Sequence, residues 1–98
     1  MIVRFTDAAK NDLEAIGDRI AADNPERAAT FVAEVRKACL GLAEFPKRFP
    51  VVPRYEGHGV HQRLHGNYLI FYRVEPGAVV ILHVLHGAMD YAAILFPD

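Results

Sequence analysis

One cysteine, no apolar run of membrane-spanning length and almost no net charge are what this chain has least of, and each scarcity excludes something. With Cys39 the only cysteine, no internal disulfide forms and no zinc cluster can be built on thiolates. Its position on the apolar face of a predicted helix reads as a buried structural thiol, not a reactive one. No apolar stretch approaches the roughly 18 residues of a membrane span, and Met1-Ile2-Val3-Arg4-Phe5 lacks the basic start and long apolar segment of a secretory signal. The expectation is a cytoplasmic chain without membrane contact. A net charge of −1 argues against a general nucleic-acid binder. The charge is nonetheless uneven, with eight acidic and five basic residues from Asp7 to Glu44 but five basic and one acidic from Pro46 to Val74. That asymmetry fits either a solvated helical face followed by a loop and sheet, or a site for an acidic partner or nucleic acid.

What is present is an ordinary globular composition, 52% hydrophobic and 23% charged over 98 residues, enough for one domain (1–98) with a small core. Ile2 to Phe5 predicts a short strand. Thr6 stands where an N-cap belongs, and Ala9, Leu13, Ile16 and Ile20 recur at helical spacing to about Asp23. Asn24-Pro25-Glu26 starts a second helix, whose apolar face is Ala28, Phe31, Val32, Val35, Ala38, Cys39 and Leu42. So short a connection demands an antiparallel helical hairpin. Phe45-Pro46 closes the second helix, and three prolines with Lys47, Arg48 and Arg54 make an irregular loop to about Gly59. Val60 to Leu64, Tyr68 to Val74 and Ala78 to His86 then predict a three-strand meander, turning at His65-Gly66-Asn67 and Pro76-Gly77. Asp90 to Phe96 has length for a final turn or short helix. The expected fold is α+β, in the order β-α-α-β-β-β, a small antiparallel sheet packed on a helical hairpin.

The last two strands carry an excess of apolar residues, because neither alternates cleanly. With Pro76 and Gly77 at the turn centre, Val74 pairs with Val79, Tyr72 with Ile81 and Ile70 with His83, facing the helices. Leu69, Phe71, Arg73, Val80, Leu82, Val84 and His86 then share the opposite face. A patch of large apolar side chains, each worth about 1.5–3 kcal/mol when buried, calls for a cover. The expected cover is a second polypeptide, with the tail residues Tyr91, Ile94, Leu95 and Phe96 folding back as the alternative.

Gly66-Asn67-Tyr68-Leu69-Ile70-Phe71-Tyr72-Arg73-Val74, followed by Val79 to His83 and Val84-Leu85-His86-Gly87-Ala88-Met89-Asp90, resembles the toxins of the RelE/ParE superfamily of type II toxin–antitoxin systems. The element order and the opening Arg4-Phe5-Thr6-Asp7-Ala8-Ala9 extend the resemblance over nearly the whole chain. It implies a RelE/ParE-like fold and no cofactor. RelE-like members are ribosome-dependent messenger-RNA endonucleases, whose pattern places an arginine directly after the strand tyrosine and another just beyond the last strand. Here those positions are Leu69 and Met89, which can neither move a proton nor hold a phosphate. The Leu-His-x-x-Met-Asp ending resembles the ParE branch instead, whose studied members poison DNA gyrase without catalytic residues of their own. Growth arrest and plasmid stabilisation are the roles this implies.

The resemblance also implies a cognate, ParD-like antitoxin with a DNA-binding N-terminal half, its C-terminal segment laying an amphipathic helix on an apolar groove of the toxin. Specific DNA binding would then belong to the antitoxin, not to this chain. The expected groove floor is Leu69, Phe71, Val80, Leu82 and Val84, with Arg73 and Arg63 pairing carboxylates at its rim. Target contacts are expected in the basic loop, Lys47 and Arg48, or in the tail, Met89, Asp90 and Tyr91. Two alternatives stay open: a nuclease site assembled from Arg63, Arg73, His83, His86 and Tyr91, and an interaction module that binds an antitoxin without being toxic. The five histidines, at 58, 61, 65, 83 and 86, form no i, i+4 helical pair with a carboxylate, so no metal site is expected.

Overall fold

The computed structural model describes residues 1–97. Strand β1 (Ile2–Phe5) leads into helix α1 (Asp7–Ala21), and helix α2 (Pro25–Gly41) returns beside it. The Thr6 side chain accepts the Ala9 N–H at 3.0 Å and Asn24 accepts that of Arg27 at 3.0 Å, so both helices begin at the capping residues the sequence supplies. After α2 come two 3-10 turns, Pro46–Arg48 and Glu56–His58, then β2 (Val60–His65), β3 (Tyr68–Glu75), β4 (Ala78–His86) and a short helix α3 (Tyr91–Leu95). The second helix stops at Gly41, earlier than Phe45-Pro46 alone would require. No helix is long and apolar enough to cross a membrane, among the described residues.

The meander is antiparallel as expected, but the sheet as a whole is mixed. Its order is β1-β4-β3-β2, and β1 lies parallel to β4, with Val3 beside Val79 and Phe5 beside Ile81. Parallel pairing needs a long connection, and the helical hairpin followed by β2 and β3 supplies it. Leu13, Ile16, Phe31, Val35 and Cys39 pack on Ile70, Tyr72, Val79 and Ile81 to make the main core between hairpin and sheet. Burial pushes the Cys39 thiol up to about 12, against the opposing pull of the Arg63 and Arg36 charges. It stays protonated and unreactive.

The register from Pro76-Gly77 begins as expected, with Val74 beside Val79 and Tyr72 beside Ile81, and then slips. Phe71 faces His83 and Ile70 faces Val84, so β4 carries one residue more than β3 between these pairs. Side chains of the first helical segment replace the ladder where β1 ends. The Thr6 hydroxyl donates to the Leu82 carbonyl at 2.9 Å, while one oxygen of Asp12 accepts the Val84 N–H at 2.9 Å and His83 Nδ1–H at 2.8 Å. Val84 therefore joins the core beneath the helices and is 1% exposed. That corrects its expected place on the opposite face: past a bulge, every side chain changes sides.

Candidate functional site

The face of the sheet turned away from the helices presents Val60, Gln62 and Leu64 from β2, Leu69, Phe71 and Arg73 from β3, and Val80, Leu82 and Leu85 from β4. Much of it is covered by the chain itself. Val52, Val60, Phe71 and Leu85 form a second buried cluster, closed by Tyr55 from the loop and by Tyr91, Leu95 and Phe96 from the tail. Phe96 stacks on Tyr55 with centroids 4.2 Å apart, and Tyr91 leans on Phe71 at 5.1 Å. The alternative cover, the tail, is present, and Phe71 is wholly buried beneath it. A partner cannot use Phe71 as an open groove floor. Val80 is buried too, flanked in the ladder by Arg4 and Arg73.

The cover is incomplete. Leu64 is 66% exposed, and Met89 and Ile94 are also exposed. Two clefts border α3. One, of about 410 Å³, is lined by Pro53, Arg54, Tyr55, Gln62, Asp90 and Tyr91 among others. Gln62 Oε1 is buried without a hydrogen-bond partner, and Arg54 holds a left-handed backbone at φ +73°. The other, of about 330 Å³, lies where Arg73, Leu82 and His83 meet Ile94 and Leu95.

The residues of the nuclease alternative are not gathered on this face. Arg63 points to the helical side, where its guanidinium donates to the Ala38 carbonyl at 3.1 Å and lies 4.9 Å from the Phe49 ring. There it complements the negative end of α2. This also corrects its expected place beside Arg73 at a groove rim, since Arg73 is on the opposite face and reaches the His58 carbonyl at 3.5 Å. His83 is engaged by Asp12, and His86 accepts the Ala88 N–H at 3.0 Å while standing edge-on to Tyr68. Of the five, Arg73 and His83 both line the cleft beside Ile94 and Leu95, Tyr91 leans on Phe71 at the start of α3, and Arg63 and His86 are turned to the helical side. Lys47 and Arg48 lie in the 3-10 turn after α2, on the helical side of the sheet, far along the chain from Met89, Asp90 and Tyr91 beside α3. No group of three or more His, Cys, Asp or Glu side chains converges among the described residues.

Reading the sequence missed Arg4 and Gln62. Arg4 joins the far face because β1 pairs with β4, 3.5 Å from Glu75. Its alternation with Val3 and Phe5, which pack into the main core, was the available signal.

A family model described as the ParE toxin of the type II toxin–antitoxin system parDE matches residues 3–91. The chain belongs to the ParE toxin family. It is thus a toxin of the type II toxin–antitoxin class. Among solved structures, this ParE-family toxin resembles a chain of the chromosomal ParDE system from P. aeruginosa, at 22% identity over 88% of this chain and 95% of that one, with a TM-score of 0.77. It also resembles a chain of the RelBE2 toxin–antitoxin complex from Mycobacterium tuberculosis, at 32% identity over 87% and 88% of the two chains, with a TM-score of 0.64. No curated protein matches the chain significantly.

Proposed function

We propose that this ParE-family toxin poisons DNA gyrase, has no nuclease centre of its own, and is neutralised by a ParD-like antitoxin. The gyrase reading is supported by the separation of Arg63 and His86 from Arg73, and by the engagement of His83, which shares a cleft with Arg73, in a bond to Asp12. Cleavage through a 2′-hydroxyl needs a proton acceptor, a proton donor and fixed positive charge around one phosphate. Leu69 and Met89 bring none of these where the RelE pattern has arginines. The expected outcome is inhibition of gyrase supercoiling by the purified toxin and no cleavage of ribosome-bound messenger RNA. Cleavage without gyrase inhibition would reverse the assignment.

The RelE-like alternative draws support from the RelBE2 similarity and from the cleft of Arg54, Gln62 and Tyr91. The same two assays run side by side separate the readings, and harmless expression of the chain alone would favour a non-toxic module.

The antitoxin docks on the part of the far face that α3 leaves open. Leu64 is its most exposed apolar residue and Leu69 and Leu82 are half-buried, with Ile94 and Leu95 forming one wall of the cleft beside Leu82. Arg73 and Arg4, flanking Val80, meet the antitoxin's carboxylates. Leu82→Asp and Arg73→Glu should each weaken a purified toxin–antitoxin complex by roughly tenfold or more. Unchanged affinity in both folded variants removes this face from the interface.

A further inference from the structure

The loop after α2 holds an aromatic residue in a conformation that folding alone does not explain. Phe45 has φ +51° and ψ 55°, the left-handed region, where a bulky side chain is strained. Its side chain gains little in return, because Phe45 is 77% exposed. The flanking backbone is nevertheless tied down. Leu42 is wholly buried on one side, the Tyr72 hydroxyl donates to the Pro46 carbonyl at 2.6 Å on the other, and the Arg48 N–H donates to the Phe45 carbonyl at 3.0 Å. Phe45 is thus presented outward on a rigid base. Around it Met1, Pro46, Lys47, Arg48 and Val74 line an open groove of about 570 Å³ whose surface is almost entirely apolar.

Strain retained at an exposed residue is characteristic of functional positions. An aromatic ring beside an arginine is the composition of a protein–protein hot spot. Among the described residues, the charged side chains lining the groove are Lys47 and Arg48, so its partner's complementary surface is apolar at the centre and acidic at the rim. Two cations around an apolar groove are few for a nucleic-acid backbone, which is bound through a row of phosphate contacts. Val74 packs against the core beneath the helices, which puts the groove on the helical side of the sheet, across the β-layer from α3. An antitoxin seated beside α3 leaves it free.

We propose that this ledge is where the toxin grips its protein target, with Phe45 entering an apolar pocket rimmed by carboxylates that pair with Lys47 and Arg48. The inference rests on the reading of the chain as a target-directed toxin, but not on which protein the target is. Phe45→Gly removes the ring and relieves the backbone, since glycine adopts φ > 0 freely. A Lys47→Glu/Arg48→Glu double variant reverses the rim charge. Both are expressed without antitoxin beside the wild-type chain at matched abundance, and growth arrest is scored against inducer dose.

Each variant is expected to need roughly tenfold more toxin for the same arrest, the weight of one hot-spot residue. Purified Phe45→Gly should keep its antitoxin affinity and melt no lower than wild type, which separates lost contact from lost fold. Full arrest by Phe45→Gly overturns the proposal. So does a wild-type dimer that Phe45→Gly converts to a fully toxic monomer, or wild-type retention on duplex DNA that the charge-reversed variant loses. A supercoiling assay with purified gyrase distinguishes the two readings: wild-type arrest without gyrase inhibition removes gyrase as target, while loss of arrest in the variants still supports the ledge.

Discussion

The Asp12 carboxylate on α1 stands 2.8 Å from His83 Nδ1 on β4, and the same oxygen accepts the Val84 N–H at 2.9 Å. One side chain therefore serves two donors at the stretch of β4 that β1 does not reach. Asp12→Ala leaves a part-buried backbone N–H without its partner and should cost about 1–3 kcal/mol in urea unfolding. Asp12→Asn, which keeps an acceptor oxygen, should cost less. Equal stability of Asp12→Ala and wild type would show that water replaces the carboxylate fully.

The bond from the Tyr72 hydroxyl to the Pro46 carbonyl joins the middle of the sheet to the base of the Phe45 ledge. Tyr72→Phe keeps the buried ring and deletes only the bond. A loss of about 1 kcal/mol in stability is expected, together with faster amide exchange at Lys47 and Arg48. Unaltered exchange would mean that the loop is rigid without this anchor.

Gln62 offers the opposite test. Its Oε1 is buried and unpartnered, beside Phe71 in the ladder. A buried polar atom without a partner costs about 1–3 kcal/mol. Gln62→Leu should therefore raise the unfolding midpoint of the free chain, and a fall would show that the amide is satisfied in solution.

Stability should decline in alkali. Burial raises the folded Cys39 thiol from its ordinary 9.0 to about 12, so between these values the unfolded chain binds fewer protons than the folded one. Stability is then complete below pH 9 and falls as pH rises, by about 1.4 kcal/mol per unit and roughly 4 kcal/mol in all from this group. Burial also raises the Tyr72 hydroxyl above its ordinary 10.0, which steepens the decline beyond that pH. Cys39→Ala should flatten the profile of urea midpoints between pH 9 and 11. An unchanged slope would show that the thiol ionises in the folded chain as readily as in the unfolded one.

The helices were legible because their signals are local. Thr6 and Asn24 cap within three residues of their own positions, and the stripe from Ala9 to Ile16 depends only on helical period. The meander was legible for the same reason, since Pro76-Gly77 sets the first pairs of its hairpin. The bulge was not, because no glycine marks it and β4 is apolar on both faces. One sign was available: the regular register placed His83 opposite Ile70 in the core, where an imidazole needs a partner. The slip moves His83 to Asp12, 71 positions away.

The candidate site divides in the same manner. Arg73 and Leu82 were legible as residues of the face away from the helices. Phe71 was placed on that face correctly, but its expected cover was a partner, and the chain's own tail occupies that place. Arg63 went to the other side because the pairing of β2 with β3 gives its side chain the same direction as His61 and His65, towards α2.

By itself the sequence determined the helical hairpin, the meander, the surplus of apolar surface and membership of a toxin family, because capping, period and turn chemistry act over a few neighbouring residues. Only the tertiary structure decided that β1 pairs in parallel with β4, that Val84 lies beneath the helices and that α3 covers Phe71. Those outcomes depend on contacts between residues tens of positions apart, where one extra residue in a strand reverses which side chains meet.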